Sequence, residues 1–124
     1  MREFGGLEMA IMNVMWAGER PLAVREVRER LDYGRPIAYT TVMTVLDILH
    51  RKGVLNRDKA GRAWLYWPVE AREEHDARLM AEALRSGGDE SVTMARFLER
   101  VSAAEIRSLQ NALLQASAQG LAVG

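Results

Sequence analysis

Five basic side chains crowd one short stretch of the sequence. Arg51, Lys52, Arg57, Lys59 and Arg62 all fall within His50–Arg62, opposed only by Asp58. Just upstream runs Tyr39-Thr40-Thr41-Val42-Met43-Thr44-Val45-Leu46-Asp47, where hydroxyls are interleaved with apolar residues. Guanidinium and ammonium groups neutralise phosphates. Threonine offers a hydroxyl to a phosphate or base edge and a methyl to thymine. Side by side, the two segments suit a polyanion carrying bases. A solvated turn between two elements is the plainer explanation of the charge run alone.

Catalysis finds little support. The chain has no cysteine, which excludes a disulfide framework, a thiol nucleophile and cysteine-ligated metal sites. His50 and His75 are its two histidines and lie far apart. His50 falls in the last turn of an expected helix, a position suited to the helix dipole or a phosphate. His75 sits among Glu73, Glu74 and Asp76 and reads as part of a wet helical face. There is no nucleophile–base–orienter set, phosphate-binding glycine loop or metal-ligand spacing. The expectation is a protein that is not an enzyme and needs no cofactor or metal.

The 124 residues suit one small domain with an appendage, and a 48% apolar share is enough for a packed core. Seventeen basic residues balance seventeen acidic ones, which by itself argues against a nucleic-acid partner. The balance hides an asymmetry. Residues 1–69 carry eleven Lys/Arg against eight Asp/Glu, a net of +3, and residues 70–124 carry six against nine, a net of −3. No apolar run approaches the ~20 residues of a membrane span, and the start is charged where a secretory signal would be apolar. The chain is therefore expected to be cytoplasmic.

Hydrophobic spacing supplies the elements. Leu7, Ile11, Val14 and Met15 mark one amphipathic helix, ended by Gly18 and Pro21. Val24, Val27 and Leu31 mark a second, and Val42, Val45, Leu46 and Leu49 a third, closed by Gly53. The pattern then changes. Val54-Leu55 leads into a polar run, Ala60-Gly61-Arg62 reads as a turn, and Ala63–Trp67 is rich in strand formers before Pro68. This predicts a two-stranded hairpin, with some of Trp64, Leu65, Tyr66 and Trp67 holding it to the helices. Beyond Glu70 three helical stripes follow: Leu79/Met80/Ala83/Leu84, then Met94/Phe97/Leu98/Val101, then Ile106/Leu109/Leu113/Ala116. The last opens with the capping-box pattern Ser102-Ala103-Ala104-Glu105. Gln119–Gly124 is expected to fray.

Three helices followed by a hairpin with a basic tip is the order of a winged helix-turn-helix. Residues 1–69 are assigned to that DNA-binding domain and 70–124 to a helical dimerisation region, giving a mainly α fold with a small β-hairpin. With Val42, Val45, Leu46 and Leu49 buried, a 100° turn per residue directs Thr40, Thr44, Asp47 and Arg51 outward, flanked by Thr41 and Met43. Arg51 and Lys52 suit phosphates, as do Arg57 and Lys59 in the wing; Arg62 at its tip suits a minor groove. Asp47 is awkward there, unless it reads a cytosine amino group or orients Arg51. The alternative is a winged-helix module that binds proteins, its outward face merely wet.

The run Ala38-Tyr39-Thr40-Thr41-Val42-Met43-Thr44-Val45-Leu46, then Lys52-Gly53, Gly61-Arg62-Ala63 and Tyr66-x-Pro68, resembles the penicillinase-repressor (BlaI/MecI) family of bacterial regulators. Leu7-Glu8-x-x-Ile11-Met12-x-Val14-Met15-Trp16 and Val24-Arg25-Glu26-Val27 fit as well. The resemblance implies a homodimer that represses transcription from a pseudo-palindromic TACA/TGTA operator in double-stranded DNA. It implies base-reading contacts from Thr40, Thr41, Met43 and Thr44, in agreement with the face derived above. It also implies targets among beta-lactamase or penicillin-binding-protein genes. Relief would come by cleavage at Arg96-Phe97, after a membrane sensor protease detects a beta-lactam, although Arg96 stands where well-known members have asparagine. Copper sensing through C-terminal cysteines, used in a related branch, is excluded here.

Dimerisation is expected on physical grounds too. Phe97, Val101, Ile106, Leu109 and Leu113 form stripes too small for a second core, and the same segment of another copy is their simplest cover. The alternative is that they fold back on their own winged helix. A regulator that responds to a bound small molecule and not to proteolysis also remains open.

Overall fold

The computed structural model describes residues 4–120. Among these residues the order is α1 (Gly6–Ala17), β1 (Leu22–Ala23), α2 (Val24–Arg30), α3 (Tyr39–Arg51), β2 (Leu55–Ala60), β3 (Ala63–Pro68), α4 (Arg72–Leu84), α5 (Glu90–Leu98) and α6 (Ala103–Ala118). They divide into two compact units, Met1–Leu79 and Met80–Gly124. The division falls inside α4, ten residues past the 69/70 junction expected from sequence.

In the first unit, the apolar faces of α1, α2 and α3 meet over one core. Ile11, Met12 and Met15 come from α1, Val24 and Val27 from α2, and Val42, Val45, Leu46 and Leu49 from α3. Leu22, Leu55 and Tyr66 of the sheet complete it, with Phe4 and Ile37 from the flanking segments. Each such side chain contributes about 1.5–3 kcal/mol by leaving water. Glutamates three residues into the helices fix the starts of α1 and α2. Glu8 Oε1 accepts from the Gly5 N–H at 3.2 Å and Glu26 Oε1 from the Ala23 N–H at 3.0 Å.

The sheet differs from the two-stranded hairpin expected. Its order is β1-β3-β2, all antiparallel, with Leu22 opposite Tyr66 and Ala23 opposite Leu65. Two-residue β1 shows no alternation, so only its backbone pairing to β3 reveals it. The wing turn is shorter than Ala60-Gly61-Arg62. Ala60 pairs with Ala63, leaving Gly61-Arg62 as the loop, and Gly61 has φ 66°, which a side chain would resist.

His75 is a second correction. It was expected on a wet face but is 1% exposed. Its ring stacks on Phe4 at 5.2 Å between centroids and meets Trp16 at 5.1 Å, and Trp16 Nε1 donates to the Glu70 carbonyl at 3.2 Å. These contacts bind the first turns of α4 to α1, which is why the first unit extends past residue 69.

In the second unit the Ser102 capping box is present as expected. Ser102 Oγ accepts from the Glu105 N–H at 3.1 Å and Glu105 Oε1 from the Ser102 N–H at 2.8 Å. Asp89 caps α5, accepting from the Val92 N–H at 3.2 Å. Helix α5 ends at Leu98, so Val101 lies in the link to α6 and not on the helical stripe assigned to it. Neither α5 nor α6 buries a residue. α6 reaches Ala118; of the tail expected to fray, Gln119 and Gly120 close the helix in a turn, their N–H groups donating to the Gln115 and Ser117 carbonyls, and 121–124 lie outside the described residues.

Candidate nucleic-acid interface

Helix α3 presents the face read from its periodicity. Val42, Val45, Leu46 and Leu49 are buried, while Thr40, Thr41, Met43, Thr44 and Arg51 are exposed. Arg28 Nε donates to the Ile37 carbonyl at 2.9 Å, so α2 anchors the turn from which α3 starts. At the other end Gly53 has φ 81°, a left-handed conformation that lets the chain reverse into the wing. Thr44 Oγ1 donates to the Thr40 carbonyl at 2.9 Å. That bond engages the hydroxyl proton and leaves the oxygen lone pairs free to act as acceptors.

The five basic residues do not share one state. Asp47 Oδ1 accepts from Arg57 Nη1 at 3.0 Å, and its Oδ2 lies 3.0 Å from Arg51 Nη2. One carboxylate thus ties the last turns of α3 to strand β2. Arg57 is half-buried, and its guanidinium lies 4.3 Å from the Trp64 ring centroid. Interaction with the Tyr66 hydroxyl first, opposed by burial and reinforced by the pairing with Asp47, pushes its pKa up. Register explains the grouping: Arg57 faces Tyr66 and Lys59 faces Trp64 across β2 and β3, on the side that turns toward α3. Lys59 Nζ lies 5.3 Å from the Trp64 centroid.

Lys52 is anchored to α1, its Nζ 2.8 Å from Glu8 Oε2. Burial works to raise the Glu8 pKa, but the bonds from Lys52 and the Gly5 N–H outweigh it and hold the carboxyl below its ordinary value. Arg62, exposed at the wing tip, has no ion pair or side-chain hydrogen bond among the described residues. This surface therefore presents Arg62 and Lys59 outward, Lys52 in an exposed pair, and Arg51 and Arg57 gathered on Asp47.

Sequence reasoning identified the positions on this face but not the couplings between them. It flagged Asp47 as anomalous and considered Arg51 as its partner, yet Arg57 lies ten residues along the chain in another element. Trp64 and Glu8 were missed as supports for the basic residues. Strand register would have exposed Trp64 opposite Lys59; the Glu8–Lys52 pair rests on tertiary packing alone.

In the second unit Phe97 is 41% exposed, Leu113 58% and Leu114 68%, with Leu109 also exposed and Val101 and Ile106 half-buried. Arg96 is exposed one residue before Phe97, and its Nη1 lies 3.2 Å from Glu99 Oε1.

Comparison with known proteins agrees with this geometry. The family model described as Penicillinase repressor matches residues 4–115. The protein called transcriptional regulator BlaI, in two strains of Mycobacterium tuberculosis (CDC 1551 / Oshkosh and ATCC 25618 / H37Rv), is 39% identical over 121 residues, covering 95% of this chain and 88% of the relative. Among solved structures, the solution structure of the DNA-binding domain of the repressor BlaI aligns with a TM-score of 0.51 at 28% identity. That alignment covers 58% of this chain and 87% of the solved one.

Proposed function

The chain belongs to the penicillinase repressor family, and on that premise we propose that it is a sequence-specific transcriptional repressor that grips operator DNA as a homodimer. The observation that carries this reading is the outward face of α3. Its apolar stripe is fully buried, and Thr40, Thr41, Met43 and Thr44 stand exposed beside a basic wing. A helix so mounted lies in the major groove with its N-terminal residues at the base edges, while the wing follows the backbone. Arg51, Lys52, Arg57, Lys59 and Arg62 are the candidate phosphate contacts.

A homodimer is the second part of the proposal. Phe97, Val101, Ile106, Leu109 and Leu113 belong to a unit in which neither helix buries a side chain, and so much apolar surface is stabilised by an isologous contact with the same unit of a second copy. Two α3 helices related by a two-fold axis then read a pseudo-palindrome of the TACA/TGTA type. The finer features of the reading are control of beta-lactamase or penicillin-binding-protein genes and relief by a sensor protease cutting at Arg96-Phe97. That bond lies within α5, so a protease requires the last helical turn to open first. The exposure of both residues and the short remainder of α5 favour such opening.

Hydroxyl-radical footprinting on a TACA/TGTA dyad tests the reading. Protection of two symmetric half-sites about one helical turn apart is expected. Uniform weak protection along the whole duplex contradicts it.

A further inference from the structure

Asp47 is the only acidic residue of α3, and it stands on the face that the proposed function turns toward DNA. A carboxylate there repels phosphates, yet the structure gives it a definite occupation. Each of its oxygens holds one guanidinium at 3.0 Å: Oδ1 that of Arg57 in the wing, Oδ2 that of Arg51 one turn along the helix. Carboxylate and phosphate compete for the same guanidinium donors. A phosphate that recruits Arg51 or Arg57 must therefore displace Asp47. The freed carboxylate is then left facing the duplex. Its favourable contact there is an amino donor on a base edge, and in the major groove cytosine N4 is the donor that acidic side chains take.

We propose that Asp47 is a specificity-determining residue of the DNA face, withholding Arg51 and Arg57 from phosphates until a correctly placed cytosine amino group takes up its carboxylate. Encounters with the backbone alone draw on Lys59 and Arg62, with the α3–wing cations held back. On a cognate duplex the carboxylate changes partner and both guanidiniums become available. Trp64 under Arg57 supports the exchange, since stacking keeps that guanidinium in place while its hydrogen-bond partner changes. This inference rests on the reading of α3 as the recognition helix.

The test measures binding of full-length protein to a labelled TACA/TGTA dyad and to a scrambled duplex over a range of salt. Wild type is compared with Asp47→Asn, with Asp47→Ser as a second variant lacking the charge, and with Asp47→Glu. Removing the charge is expected to tighten scrambled-duplex binding ~10-fold at low salt and to steepen the log–log salt dependence by about one to two per protomer. The dyad-to-scrambled ratio falls correspondingly, and Asp47→Glu restores the wild-type slope. A merely structural role for Asp47 would leave the slope unmoved. Unchanged or weaker scrambled-duplex binding in both neutral variants, with wild type still dyad-selective, overturns this inference and leaves the proposed function standing. A wild type with no dyad preference overturns the proposed function, and the role of Asp47 with it.

Discussion

The His75 imidazole lies almost parallel to the Phe4 ring, with centroids 5.2 Å apart and planes 6° from parallel. At its Nδ1 edge Arg78 Nη2 lies 3.2 Å away, and Glu70 Oε1 accepts from that same guanidinium nitrogen at 2.8 Å. The start of α4 is thereby built into the core of the DNA-binding unit. His75→Ala is expected to destabilise that unit by about 3 kcal/mol, through a cavity beside Phe4 and Trp16. Urea denaturation followed by tryptophan fluorescence measures it. A cost below about 0.5 kcal/mol, the usual effect of a wet-face substitution, would contradict the packing described.

Acid sensitivity should reside partly in Glu26. The hydrogen bond from Arg20, reinforced by the Ala23 N–H, lowers its carboxyl from an ordinary 4.5 to about 2. A depressed carboxylate stabilises the fold above its unfolded pKa, and that contribution is lost as pH falls from about 5 to about 1. Glu26→Gln keeps an acceptor for the Ala23 N–H and removes only the charge. It should cost roughly 1 kcal/mol at pH 7, given the exposure of Arg20, and almost nothing at about pH 1. An equal cost at both ends of that range would show that the charge is irrelevant.

Much of the candidate interface could be read from the chain because helical periodicity determines which side chains of α3 face outward. Four buried residues of α3 dictate which threonines face outward, and Gly53 and Gly61 mark the two reversals that shape the wing. What escaped was decided between elements. Strand β1 is two residues long and exists through its pairing with β3. His75 sits in a run of acids that reads as solvated, and its burial comes from Trp16 and Phe4, far off in sequence. Val101 continues the apolar spacing of α5 but lies past the end of that helix at Leu98. The pairing of Asp47 with Arg57 requires the wing to fold back on α3, which no local pattern announces.

Thr44 and Arg62 should fail in different ways. Thr44→Ala removes a hydroxyl and a methyl from the face proposed to read bases, so dyad affinity should fall by about 1–2 kcal/mol with scrambled-duplex affinity nearly unchanged. Arg62→Ala should weaken both duplexes alike and lower the salt slope by about one per protomer. Gel-shift titration at several salt concentrations distinguishes the two. Identical behaviour of the variants would mean that α3 and the wing do not divide base reading from backbone contact.

Assembly depends on the second unit. Leu113 is 58% exposed on α6, and Leu113→Asp places a charge in the apolar face proposed to meet its copy. Static light scattering should show the mass falling by half at micromolar concentration, with the circular dichroism of the first unit retained. A mass unchanged from wild type would locate the interface elsewhere.

Sequence-specific binding is tested by fluorescence anisotropy of the wild-type protein against a labelled TACA/TGTA dyad, with a scrambled duplex of equal length beside it. Dyad binding is expected to be tighter by at least ~10³-fold at moderate salt and to weaken steeply as salt rises. Equal affinity for the two duplexes at every salt concentration would contradict it.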